Sequence, residues 1–88
     1  MMIGRSVVGT ATGQADAGSG YLLSAGLCAG ADAATITIRS GGASGTVICK
    51  LGTGIGIGAQ RVFAAGIPYT DLHVTVTGTT PAWDLEIG

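Results

Sequence analysis

The sequence predicts an all-β fold: a small single-domain β-sandwich, jelly-roll-like, with seven to eight short antiparallel strands. Three observations predict it. Seventeen of the 88 residues are glycine and they interrupt every long window, while an interior glycine costs a helix ~1 kcal/mol. Several segments alternate apolar and polar residues with the period of two that a half-buried strand requires. Clusters of Gly, Ser, Asp and Pro punctuate these segments as hairpin and sandwich connections do. The length suits one domain, residues 1–88.

Each strand has its own justification. Residues 5–12 (RSVVGTAT) mix Val and Thr and end at Gly13. Residues 21–28 (YLLSAGLC) follow Gly18-Ser19-Gly20, with Tyr21, Leu23, Ala25 and Leu27 on one face and Leu22, Ser24, Gly26 and Cys28 on the other. Residues 32–39 alternate most clearly, Ile36 and Ile38 against Thr35, Thr37 and Arg39. The tract Ser40-Gly41-Gly42-Ala43-Ser44-Gly45 has nothing to pack and turns, so residues 46–51 (TVICKL) return as a hairpin partner. Residues 60–64 (QRVFA) form a short fifth strand. Residues 72–77 (LHVTVT) turn Leu72, Val74 and Val76 inward, and after Gly78-Thr79-Thr80-Pro81 residues 83–87 (WDLEI) bury Trp83, Leu85 and Ile87. The predicted core is Leu23, Leu27, Ile36, Ile38, Val47 or Ile48, Val74, Val76, Trp83 and Leu85.

Size and charge point to association. A chain this short buries only about 60–65% of its unfolded surface, and its apolar burial roughly balances the entropy of ordering it. Two cysteines permit one disulfide at most and a single His offers no metal site. Neighbouring subunits are the remaining source of stability. Four basic and five acidic residues give a net charge of −1, and the chain is 47% hydrophobic with mean hydropathy +0.55. So little charge keeps a free domain poorly dispersed. No basic patch recommends a nucleic-acid partner. No stretch approaches the ~20 apolar residues of a spanning helix, so no membrane is expected. Met1-Met2-Ile3-Gly4-Arg5 does not read as an export signal, which predicts synthesis in a cytoplasm.

The candidate sites favour a surface over a catalyst. In Gly52-Thr53-Gly54-Ile55-Gly56-Ile57-Gly58 the glycines fall at every second residue and no helix can follow, so neither nucleotide-loop pattern fits. Extended, this segment is a loop between strands or an arm laying Ile55 and Ile57 on a neighbouring subunit. His73 shares a polar face with Thr75 and Thr77 and reads as solvated. Asp84 and Glu86 share one face of the final strand, where carboxylates blunt edge pairing. Cys28 and Cys49 are expected as free thiols. Trp83 reads as a core plug, and the other aromatics, Tyr21, Phe63 and Tyr69, are too few for a sugar-binding platform. These residues predict a non-enzymatic chain with no cofactor and no metal.

The order of phrases carries a resemblance. Gly18-Ser19-Gly20-Tyr21-Leu22-Leu23-Ser24 is followed by Ala34-Thr35-Ile36-Thr37-Ile38, Gly45-Thr46-Val47-Ile48, Ile67-Pro68-Tyr69 and Leu72-His73-Val74-Thr75-Val76-Thr77-Gly78-Thr79. Over roughly residues 5–87 the chain resembles the small β-sandwich virion proteins of tailed bacteriophages. Members often carry a Tyr-Asp pair after the third strand, where this chain has Arg39-Ser40-Gly41. The resemblance implies a capsid decoration (cement) protein on the outer capsid surface of the virion. Its partners would be the major capsid protein and copies of itself, as a trimer. A tail, baseplate or fibre-associated component is the alternative, and a carbohydrate-binding module is a further one.

Overall fold

The structure, a computed structural model, describes residues 5–88; the export-signal reading of residues 1–4 lies outside them. Among the described residues there is no helix, and six strands form one antiparallel sheet. They are β1 (Arg5–Gly9), β2 (Gly13–Cys28), β3 (Ala34–Ser40), β4 (Thr46–Thr53), β5 (Gly58–Thr77) and β6 (Ala82–Ile87). Their order across the sheet is β1-β6-β2-β5-β3-β4.

The count is six, not the expected seven or eight, because two predicted strands are one. Residues 60–64 and 72–77 both belong to the 20-residue β5. The intervening Gly66, Pro68 and Asp71 look like a break in sequence, yet the chain passes through them by local irregularity. Gly66 takes φ +74° and Asp71 takes φ +55°. Between the pairs Leu22↔Ile67 and Ser24↔Val62, β5 has four residues where β2 has one. β2 likewise starts eight residues before its predicted Tyr21, running through Gly18-Ser19-Gly20 with register shifts instead of a turn. Bulges of this kind bend a strand and raise its twist without ending it.

The long strands divide their partners along their length. The second half of β2 lies between β6 and the first half of β5, while the second half of β5 lies between the start of β2 and β3. Side chains from both regions meet in one core: Leu22, Ala25, Leu27, Ile36, Ile38, Cys49, Leu72, Val74, Trp83, Leu85 and Ile87 are all buried.

The predicted core is correct at Leu27, Ile36, Ile38, Val74, Trp83 and Leu85 and reversed at one position. Leu22 is fully buried and Leu23 only half-buried. The cause is a bulge: Leu22 pairs with Ile87 and Ser24 with Glu86, so Leu23 is an extra residue. One extra residue exchanges the two faces of a strand, which lets Leu22 and Leu27 both point inward although five positions apart. A second bulge at Ile48 works alike, since Ile38 pairs with Cys49 but Arg39 with Val47. Cys49 therefore takes the core position, Ile48 is half-buried and Val47 is exposed. Val76 is also only half-buried.

Candidate functional site

Residues 52–58 include an ordered turn between strands, not a fully extended segment. Gly52 and Thr53 end β4, Gly58 begins β5, and the four residues between make a tight turn linking strands that do not pair with each other, β4 lying beside β3 and the start of β5 beside β2. Gly56 adopts φ +68°, the left-handed conformation that glycine enters without steric penalty. The Ile57 N–H donates to the Gly54 carbonyl at 3.1 Å, and the Thr53 hydroxyl donates to the Ile57 carbonyl at 3.1 Å. The Ala29 N–H also donates to that carbonyl at 3.0 Å, tying the turn to the end of β2. The backbone is thus held while both side chains are left out: Ile55 is 66% and Ile57 58% exposed.

Next to this turn the outer face of β1, β6, β2 and β5 contains a groove of about 650 Å³. Directly paired residues of an antiparallel sheet share a face. Val8, Asp84, Gly26 and Gln60 therefore form one outward row, and Ala82, Cys28 and Gly58 form the next. The hollow exists because these paired positions carry almost no side chain: Gly26, Gly58, Ala82 and Cys28 lay the backbone low. Val8, 74% exposed, stands up at its margin. The Asp84 carboxylate lies over the α-carbon of Gly26, where any side chain on residue 26 would collide with it.

Charge is segregated around these features. From residue 33 to residue 70 the sequence contains no carboxylate but holds Arg39, Lys50 and Arg61. β6 carries Asp84 and Glu86 and no cation. Among the described residues the single ion pair is Arg5 with Asp16, at 3.2 Å.

The other sequence candidates fall separately. Asp84 and Glu86 do share a face, but β6 is not an edge strand, because β1 lies outside it. Glu86 accepts a hydrogen bond from the Ser6 hydroxyl of that strand at 2.6 Å. His73 sits between Gln14 and Arg39 in the ladder, and its buried Nδ1 has no hydrogen-bond partner among the described residues. Both thiols are free, Cys28 exposed and Cys49 buried, and burial pushes the Cys49 thiol up. Trp83 and Tyr69 are buried, and the Trp83 Nε1–H donates to the Ala11 carbonyl at 3.1 Å. Among the described residues no group of three or more His, Cys, Asp or Glu is placed to hold a metal ion.

One polar cluster has no signature in the sequence. The Tyr69 hydroxyl donates to Asp16 Oδ2 at 2.5 Å, the Gly18 N–H donates to Asp16 Oδ1 at 3.2 Å, and Arg5 completes the set. The Tyr69 hydrogen bond, then that of Gly18, holds the Asp16 carboxyl below the usual carboxylate range. Burial, reinforced by Asp16, pushes the Tyr69 hydroxyl up to about 12. Only the strand order β1-β6-β2-β5 brings together these residues, which are remote in sequence.

Comparison with protein-family models, with curated proteins and with solved structures finds no match to this chain.

Proposed function

We propose that this chain is a non-enzymatic structural protein of a phage virion, a capsid decoration protein that binds the outer capsid surface and bridges capsomers. In this reading the sheet folds across its two long bulged strands into a small jelly-roll-like sandwich, and the domain works as a trimer. The observation that carries the reading is the turn from β4 to β5. Two isoleucines are held out to solvent on a hydrogen-bonded turn, in a chain with few charges to keep it dispersed. Exposed branched side chains on a rigid support suit a contact surface better than a reaction site. The mechanism is mechanical: each copy buries apolar area across a seam, and a lattice sums many weak contacts by presenting them together.

The test is binding of the purified chain to capsids stripped of it, with sedimentation of the free chain alongside. Replacing Ile55 and Ile57 by Ser is expected to preserve strand content and weaken attachment by about 2–4 kcal/mol per copy, given ~1.5–3 kcal/mol for fully burying each side chain. Unchanged attachment would sink the reading. Copy number separates the tail alternative: hundreds per particle belong to a head protein, six or twelve to a tail ring.

A further inference from the structure

We infer that the groove beside Gly58 and Ala82 receives the Ile55/Ile57 turn of a second copy of this chain. The inference deepens the proposed function and rests on it for the turn as a contact surface, but it requires no capsid.

The groove and the tip match in chemistry. At about 650 Å³ the groove lies within the ~300–1,000 Å³ range of sites that enclose a ligand. Its floor is backbone and small side chains at Gly58 and Ala82, offering apolar contact and close approach, with the Asp84 carboxylate lying over Gly26 beside them. The tip offers the reverse, two branched side chains on a narrow Gly-Ile-Gly-Ile turn. The chain's own groove does not hold its own tip, since Ile55 and Ile57 remain mostly exposed.

Charge selects a copy of this chain as the occupant. Residues 46–64, on either side of the tip, hold Lys50 and Arg61 and no carboxylate, while β6, which lines the groove with Ala82 and Asp84, holds Asp84 and Glu86 and no cation. Docking tip into groove brings a surface of two positive charges to one of two negative charges, which guides encounter and penalises other orientations. Tip and groove are different surfaces, so the contact either recurs reciprocally in a two-fold dimer or runs head to tail and closes into a ring when the rotation allows. A trimer is one such ring.

The experiment uses the full chain, free of capsid, in sedimentation equilibrium. The native chain is expected to self-associate reversibly. The tip variant I55S/I57S and the groove variant Ala82→Trp, which fills the hollow from an exposed position, are each expected to associate about 30-fold more weakly or worse. Their circular dichroism should match the native strand spectrum. The decisive arm mixes the two variants. One retains a groove and the other a tip, so the mixture should form a one-to-one pair that neither forms alone. A native chain that stays monomeric at millimolar concentration, or variants that fail to pair when mixed, overturns the inference. A monomer that still binds capsids through Ile55 and Ile57 would overturn only this contact and leave the proposed function standing.

Discussion

Single residues decide which leucine is core and which carboxylate responds to pH. Leu22 is fully buried against Ile87, whereas Leu23 is the extra residue of a bulge and only half-buried. Leu22→Ala is therefore expected to cost about 2–5 kcal/mol in urea unfolding, and Leu23→Ala clearly less. Equal losses would mean that the bulge is misplaced. The alternation of residues 21–28 could not reveal this, because a bulge exchanges faces without altering composition. Asp16 and Tyr69 give a pH prediction with two limbs. The lowered Asp16 contributes stability that is present above its unfolded value and lost as pH falls through its lower folded one. The raised Tyr69 contributes stability that is full below its ordinary value of 10 and lost as pH rises through about 12. Asp16→Asn should flatten the acid limb of a thermal-melting profile, and Tyr69→Phe the alkaline limb. A profile unchanged by either substitution would deny the pairing.

Among the elements, the strongly alternating segments were legible and the bulged ones were not. β3 and β6 follow directly from Ile36 and Ile38 and from Trp83, Leu85 and Ile87, because strict period-2 patterning survives where the ladder is regular. β2 and β5 were read short, since glycine clusters and Pro68 carry the same local signal in a turn and in a bulge. The segment of residues 52–58 was singled out from its glycines, but the adjacent groove was not. Its rows join four strands, and only the register reveals that Gly26, Gly58 and Ala82 are neighbours. Within β5, Gly66 is sensitive to substitution. It has φ +74°, and a β-carbon there would lie 3.1 Å from Tyr21 Cβ and 3.3 Å from Leu23 Cδ2. Gly66→Ala is expected to destabilise by roughly 1–2 kcal/mol, read as a lower urea midpoint. A neutral effect would show that the bend tolerates an ordinary backbone conformation.

At the scale of the molecule, first and last strands are paired: Arg5 lies opposite Ile87 and Gly9 opposite Trp83. This pairing has a consequence for how the protein bears force. A pull applied at residues 5 and 87 draws two adjacent strand ends apart sideways and breaks the β1–β6 hydrogen bonds one after another, so resistance never exceeds that of a few bonds. A pull along β2 against β5 loads a ladder of twelve paired positions in parallel. The domain is thus a zipper when held by its two ends and a shear joint when held by its long strands. Tethering through residues 5 and 87 in a force-clamp experiment should give unfolding at far lower force than tethering through residues 13 and 58. A part meant to withstand pressure would carry its load along the long strands and keep its ends slack.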